Sequence, residues 1–367
     1  MLDKIIPTFN DQTTSWTKDG CRNAVILMSG GVDSSAAAVI LLKKGYSVAG
    51  LTMNISDDKN CFACRSAASV CRALSIPHFY ADASNEFKTC VSEPFRAAYS
   101  SGMTPNPCAD CNEHIKFGIL WDMAESAWGK NIYIATGHYA RIIHIGGRPY
   151  LSRGVNRQKD QSYFLSGIPS DRIGRIIFPL GDYESKEDVR ALVRHEGLSV
   201  SEQPESMDIC FAHERASGYR DFLDCPRRPG PIKDISGKVI GTHNGITGYT
   251  LGQRKGIGIA SQFPLFVVDI RPLENSIVVA PRDSVFSETV TAGKVNILAE
   301  EHLDGKEVLF GKIRSQGDPV PCNVMEHSND TIYVRFHTPV FAPSPGQRLV
   351  LYTADGIVTA GGTIKNS

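Results

Sequence analysis

The sequence predicts an α/β protein of several domains: an N-terminal doubly wound parallel sheet, a small central domain and a C-terminal antiparallel β-barrel. Three observations predict it. Short apolar runs such as residues 24–28 alternate with helical stretches through the first half of the chain, the pattern of parallel strands buried on both faces. Proline and glycine become dense after Phe211, as in Cys225-Pro226-Arg227-Arg228-Pro229-Gly230-Pro231, and helical periodicity fades. From about Val285 onward, short β-type runs separated by turns take over. A length of 367 residues suits two or three domains. The changes in texture put them at residues 20–213, 214–284 and 285–367.

Taken in order, residues 1–20 are polar and read as a loose leader, without the apolar run of a signal peptide. Residues 24–28 form a buried strand. A glycine-containing loop follows, then a helix over 34–44, rich in Ala, Leu and Ile and stopped by Gly45. A strand over 47–53 completes a βαβ unit. Its loop lies at the carboxyl end of the first strand, where open α/β sheets bind ligands. The alternation continues with a helix over 65–74, a strand over 77–81, helices over 86–100 and 113–128, and a strand over 132–135. Residues 140–153 read as a hairpin turning at Gly146-Gly147, and 186–196 as a helix closed by Gly197. In the last domain strands are expected over 306–313, 332–336, 348–352 and 357–364. No internal repeat and no low-complexity segment interrupts the chain.

Composition narrows the function classes. The 39 basic and 39 acidic residues cancel, so any polyanion site must be a local basic surface. The longest apolar stretch, residues 36–42, falls far short of the roughly 20 residues of a membrane helix. A cytoplasmic protein with no membrane partner is expected. In that compartment ten cysteines point to catalysis, metal binding or core packing, not to a disulfide framework.

The loop Ser29-Gly30-Gly31-Val32-Asp33-Ser34-Ser35 carries the sharpest signal. Gly30 and Gly31 let backbone N–H groups close around phosphate oxygens, and the following helix points its positive end there. Ser29, Ser34 and Ser35 add hydroxyl donors, and Asp33 is placed to hold Mg2+ or to cap the helix. No Walker lysine follows, which sets the loop apart from kinases and GTPases. The string resembles the loop of the ATP pyrophosphatases, which cleave ATP between the α and β phosphates and adenylate a substrate.

Cysteines mark the second centre. Cys61 and Cys64 form one CxxC pair and Cys108 and Cys111 another, a spacing that by itself suits a four-cysteine zinc site. The second pair lies in Thr104-Pro105-Asn106-Pro107-Cys108-Ala109-Asp110-Cys111-Asn112, and Cys210 stands alone before Phe211. With Ile115-Lys116-Phe117, Ala135-Thr136-Gly137-His138-Tyr139, Lys159-Asp160-Gln161-Ser162-Tyr163-Phe164 and Thr250-Leu251-Gly252-Gln253-Arg254-Lys255-Gly256-Ile257-Gly258, these segments span nearly the whole chain. In their order the chain resembles the tRNA-specific 2-thiouridylases.

That resemblance implies ATP-dependent 2-thiolation of the wobble uridine of tRNA. The C2 oxygen is a poor leaving group, and adenylation lets sulfur displace it as AMP. It also implies that Cys210 carries sulfur as a persulfide, that Cys111 is the nucleophile, and that a Cys111–Cys210 disulfide results. Both thiols act as thiolates and belong in an electropositive cleft. Nucleotide contacts are implied for Leu27, Met28, Ser29, Gly30, Gly31, Val32, Asp33, Ser34, Met53 and Gly137. Target-base contacts are implied for Asn106, Pro107, Cys108, Lys159, Asp160 and Gln161, and tRNA contacts for His138, Arg314 and Gln347. ATP with Mg2+, tRNA, and a sulfur-donor protein such as a cysteine desulfurase or persulfide carrier are the implied partners.

The chain departs from the family pattern at Cys108, where many members have Asp, and at Asp208, where many have Gly. A third thiol beside Cys111 and Cys210 opens the alternative of a [4Fe-4S] cluster held by all three. Taken singly, His138 suits a turn histidine, Lys159-Asp160 a solvated pair, and Met53, Cys71 and Cys90 core packing. Cys61 and Cys64 stay open between packing, metal and redox sensing. Three basic clusters could together line an RNA path: Arg153 with Arg157 and Lys159, Arg227-Arg228, and Arg254-Lys255. Two other functions compete. Another adenylating ATP pyrophosphatase is opposed by the Cys111/Cys210 pair and the β-rich C-terminal domain, and a non-catalytic nucleotide-binding module needs neither the full serine-rich loop nor the long C-terminal extension.

Overall fold

The structure is a computed structural model that describes residues 5–8, 16–55, 62–203, 209–211, 222–223 and 228–366. Cys61, Asp208, Cys225 and Arg227 lie outside the described residues. These fall into two compact units. The first takes the described residues of Met1–Val91, Ala109–Glu205 and Gly356–Val358; the second those of Ser92–Cys108, Ser206–Asp355 and Thr359–Ser367.

The first unit is built on a six-stranded sheet. Its strands are β1 (Ile5–Pro7), β2 (Asn23–Leu27), β3 (Ser47–Asn54), β4 (His78–Asp82) and β5 (Ile132–Ala135), with a hairpin β6 (Ala140–Ile145) and β7 (Arg148–Arg153) beside it and a short β8 (Ile176–Ile177) at one edge. Their order is β1-β4-β3-β2-β5-β8. Every pair is parallel except β1 with β4. The chain steps outward from β2 to β3 and β4, then returns to the other side of β2 with β5. That reversal opens a crevice at the carboxyl ends of β2 and β5. Helix α1 (Val32–Lys43) carries no polar stripe over Ala36–Leu41, because it packs into the core with Ile26, Val48 and Val189. Helix α2 (Phe62–Ala73) is amphipathic and buries Cys64, Ala67, Val70 and Cys71.

One expectation fails here. Ile5–Pro7, read as loose leader, is an edge strand with Ile5 opposite Ala81. Three residues are too few for a periodic signal, and only β4 supplies the partner. The expected helix from residue 113 to 128 begins earlier. It runs through Pro107–Asp110, a π-helical Cys111–Ile119 and Leu120–Trp128, so Pro107 sits in the first turn, where its missing N–H costs nothing.

The second unit holds two β structures. Strands β9 (Gly230–Lys233), β10 (Val239–His243), β11 (Leu265–Arg271) and β12 (Ser276–Pro281) form a sheet in the order β10-β9-β12-β11 around Ile232, Val267, Ile277 and Val279. Proline and glycine density had hidden these strands, because they are short and joined by long turns. Strands β13 (Phe286–Ile297), β14 (Leu309–Lys312), β15 (Val320–His327), β16 (Thr331–Phe341), β17 (Arg348–Tyr352) and β18 (Val358–Ile364) close into a barrel. Inward residues such as Leu309, Cys322, Val334, Phe336 and Leu351 fill it. Burial pushes the Cys322 thiol and the Cys71 thiol each up to about 12, as suits core cysteines.

Candidate active site

The loop after β2 is fixed by its own hydroxyls. Ser34 Oγ and Ser35 Oγ donate to the carbonyl of Gly31 at 3.1 and 2.9 Å, and Ser29 N–H donates to Ser34 Oγ at 3.3 Å. From α2, Ser66 Oγ donates to the carbonyl of Gly30 at 2.7 Å. Ser34 and Ser35, expected as phosphate donors, are therefore spent on shaping the loop. Ser29 is exposed and Gly31 half-buried beside the N-terminal end of α1, the end that attracts anions. Gly30 has φ +74, and a Cβ there would lie 2.6 Å from the carbonyl oxygen of Ala63, so glycine is required twice over.

Asp33 does not cap α1. The cap residue is Gly31, and Asp33 lies in the first turn. Its Oδ1 forms an ion pair with Lys186 Nζ and accepts from Tyr139 Oη at 3.1 Å. Lys186 is the first residue of the helix Lys186–His195, whose N-cap Ser185 accepts from Glu187 N–H. Its ammonium stands 5.5 Å from the Tyr139 ring centroid. The loop that lacks a Walker lysine thus has a lysine brought to it from 153 residues away.

The segment after β5 completes the crevice wall. A Cβ on Gly137 would lie 2.7 Å from the Asp33 carbonyl carbon and 2.8 Å from Ser34 N, so only glycine lets this segment touch the first turn of α1. His138 Nδ1 is 2.7 Å from Thr136 Oγ1, and its ring packs edge-on to Phe178. Burial, with the Lys116 ammonium adding to it, holds the His138 imidazole well below its ordinary value. It is neutral at pH 7 and offers a hydrogen bond, not a charge.

The segment implied to meet the target base is itself braced. Asp160 is buried and accepts from Arg153 Nε at 3.0 Å, Gly154 N–H at 3.1 Å, Ser162 N–H at 3.1 Å and Ser162 Oγ at 3.0 Å. Gln161 Oε1 accepts from Tyr139 N–H at 3.0 Å, while Gln161 N–H donates to the Tyr139 carbonyl at 2.9 Å. Lys159 N–H donates to Asn156 Oδ1 at 3.1 Å. The side chains of Asp160 and Gln161 therefore hold the loop's shape. Cys111 is 6% exposed, at the start of the π-helical turn whose next residue, Asn112, donates from Nδ2 to the Phe164 carbonyl at 3.0 Å. Met28 is buried, while Leu27 and Met53 are half-buried at their strand ends.

In the second unit, Asn106 is buried, Pro107 opens its helical turn and Cys108 is exposed. Gln347 Nε2 donates to the carbonyls of Thr104 and Pro105 at 3.0 and 3.2 Å. Arg314 donates to the carbonyls of Phe341 and Ala342 at 2.5 and 2.9 Å and lies over the Phe341 ring. Cys210 is exposed, beside Phe211, whose ring packs 5.5 Å from Phe95 and 4.6 Å from Phe222. Among the described residues no cluster of three or more His, Cys, Asp or Glu side chains is placed to hold a metal ion. No helix among them is long and apolar enough to cross a membrane.

Sequence reasoning missed Lys186, the Tyr139 hydroxyl, Ser66 and Thr136. Thr136 and Tyr139 lay inside a quoted motif without a role of their own, and Lys186 carried a hint as a cation in a first helical turn, where the helix dipole disfavours it.

Comparison with known proteins gives the family and the order of its domains. Residues 22–214 match the family model of the tRNA methyl transferase HUP domain, residues 220–281 that of the tRNA methyl transferase PRC-barrel domain, and residues 287–364 that of the aminomethyltransferase beta-barrel domain. A tRNA-specific 2-thiouridylase of Syntrophus aciditrophicus is 40% identical over 94% of this chain and 93% of its own. One of Lachnoclostridium phytofermentans is 39% identical over 94% and 99%. A bifunctional NifU/MnmA protein of Rubrobacter xylanophilus is 38% identical, covering 94% of this chain and 70% of its own. The solved NMN synthetase of Francisella tularensis aligns with 51% of this chain and 67% of its own, at 19% identity and a TM-score of 0.34, too low to bear on fold or function. On identity and coverage together, the chain belongs to the tRNA-specific 2-thiouridylase family.

Proposed function

We propose that the protein is an ATP-dependent, AMP- and pyrophosphate-forming sulfurtransferase that converts the wobble uridine of tRNA to 2-thiouridine. The observation that carries this reading is the crevice at the sheet's switch point. There the Lys186 ammonium pairs with Asp33 in the first turn of α1, directly after the glycine loop, and Gly137 approaches the same turn closely. Such a site suits a triphosphate.

In this reading the C2 oxygen of uridine attacks the α-phosphorus, the bond to the β-phosphate oxygen breaks, and pyrophosphate leaves. The Cys111 thiolate then attacks the sulfur of Cys210 persulfide, forming a Cys111–Cys210 disulfide and releasing hydrosulfide. Hydrosulfide adds to C2, and AMP departs with the original oxygen. A thiol reductant must return the disulfide to two thiols before the next turnover, and a persulfide-donating protein must reload Cys210. Mg2+ bound to the ATP phosphates would add positive charge there, and on the chain's side Lys186 and the loop N–H groups would meet the phosphate oxygens.

The test is turnover with labelled ATP, purified tRNA transcript, a cysteine desulfurase with cysteine as the persulfide donor, and a thiol reductant. AMP, pyrophosphate and 2-thiouridine should form in equal amounts, and Cys111→Ser and Cys210→Ser should each abolish thiolation. ADP and phosphate as products would overturn the adenylation. Cys108 separates the relay from the iron–sulfur alternative. Anaerobically purified protein should be free of iron, and Cys108→Ser should still thiolate tRNA. Stoichiometric iron lost together with activity in Cys108→Ser would replace the relay with a cluster.

A further inference from the structure

The second unit carries a cleft at Arg254, a residue expected above only as part of a general RNA path, and no ligand of its own has been assigned to it. It lies between the turn after Tyr249 and the start of β11, with a volume of about 390 Å³, inside the range of about 300–1,000 Å³ of small-ligand pockets. Arg254, Gly256, Gly258, Gln262 and Phe263 line it, and Ile257 is buried beneath.

Three features of the cleft point to the same ligand chemistry. Phe263 is 69% exposed, an aromatic ring left in water at the rim. Gly256 and Gly258 have φ of +77 and +75, and a Cβ at Gly258 would meet nothing within 4 Å, so bare backbone lines the opening. Arg254 and Lys255 are both exposed, and among the described residues neither is in an ion pair. Residues 244–268 contain these two cations and no carboxylate, in a chain whose net charge is zero. The turn is also held in shape before any ligand arrives. Gln253 Oε1 accepts from Thr250 N–H at 3.1 Å, and Gln253 Nε2 donates to the Lys255 carbonyl at 3.0 Å.

An exposed aromatic face, a guanidinium and an accessible glycine backbone match an unpaired nucleotide: ring for base, cation for phosphate. A protein partner would find little here to anchor, since one exposed ring among glycines offers a small apolar area. We propose that this cleft seats one unpaired nucleotide of the substrate RNA, its base stacked on Phe263 and its phosphate on Arg254. Its residues belong to the second unit, and the nucleotide loop belongs to the first. The inference rests on the proposed function in one respect, that the substrate is tRNA.

The experiment measures the Kd of an unmodified tRNA transcript across a salt series, for wild type and for Phe263→Ala, Phe263→Leu, Phe263→Trp and Arg254→Gln, with the ATP Kd alongside. Stacking on an aromatic is lost on alanine substitution at a cost of about 5- to 100-fold in affinity. Phe263→Ala and Phe263→Leu should both show that loss, and Phe263→Trp should retain binding. Arg254→Gln should lower the slope of log K against log salt by about 0.7–0.9. The ATP Kd should stay unchanged throughout, since both residues lie outside the nucleotide loop. Ultraviolet cross-linking of the wild-type complex should join Phe263 to a nucleotide that is unpaired in the tRNA. Wild-type affinity in Phe263→Ala, in Phe263→Leu, or a cross-link to a paired nucleotide overturns the inference while tRNA binding itself stands. If the wild type binds no tRNA at any salt concentration, the proposed function fails instead.

Discussion

Lys186 occupies the first turn of its helix, where aligned N–H dipoles disfavour a cation, and is held there by Asp33 and the Tyr139 ring. As a stability element the pair is weak. Asp33 is 38% exposed, so solvent screening leaves it worth no more than about 1 kcal/mol. A charge kept in an unfavourable place for so little stability is better accounted for by the phosphates it would meet. Lys186→Met should leave the unfolding free energy within about 1 kcal/mol of wild type and lower kcat/KM for ATP by about 100-fold. Equal losses in stability and activity would make Lys186 a structural residue. His78 supplies the contrasting case. It bridges Thr8 Oγ1 at 2.7 Å and Thr52 Oγ1 at 2.8 Å, and burial lowers its pKa from 6.5 to about 4. The fold accepts only the neutral ring, so the stability it protects is fully present above pH 6.5. That stability drains away as pH falls toward 4, by up to about 3 kcal/mol. Urea midpoints at pH 7.5 and pH 4.5 should show this loss, and His78→Gln should reduce it.

Among the elements, the segment after β5 and the first turn of α1 meet with no room to spare. Gly137→Ala places a methyl group 2.7 Å from the Asp33 carbonyl carbon, and backbone on both sides must move. We expect a cost of about 1–3 kcal/mol in stability and at least about a tenfold weaker ATP Kd by calorimetry. Gly147→Ala at the open hairpin turn, where a Cβ meets nothing within 4 Å, should leave ATP binding unchanged. Matching ATP affinities in the two variants would remove Gly137 from the site. The strand–loop–helix order around residues 29–35 was legible because each piece is local: an apolar run, a glycine pair, an alanine-rich helix. The π-helical turn that carries Cys111 was not, because nothing in Cys111-Asn112-Glu113 marks one extra residue per turn.

At the scale of the whole molecule, the first unit is not continuous in sequence. Gly356–Val358 belongs to it, with Arg153 N–H donating to the Gly356 carbonyl at 2.9 Å and Ser152 bridged to Ile357. Arg153 is also the partner of buried Asp160. A chain ending at residue 213 should therefore melt below the full-length protein, at about 2–4 °C per kcal/mol lost, with faster amide exchange over residues 148–162. Unchanged exchange there would mean that the hairpin stands without its distant strap.

The sequence by itself determined the alternation of strand and helix, and it singled out the glycine loop as a candidate phosphate site and Cys111 and Cys210 as candidate thiols. Each is written in neighbouring residues or in a family-ordered set of motifs. Tertiary structure decided what those residues do with their hydrogen bonds. Asp33 could be read as a metal ligand or a cap until Lys186 and Tyr139 arrived from distant elements to claim its carboxylate. Ser34 and Ser35 looked like phosphate donors until their hydroxyls turned back to Gly31. His138 gave no sign of its charge, because neutrality comes from burial and from Lys116, neither of which a linear spacing encodes. Local propensity and motif chemistry act over a few residues, whereas burial and charge pairing depend on which segments the fold brings together.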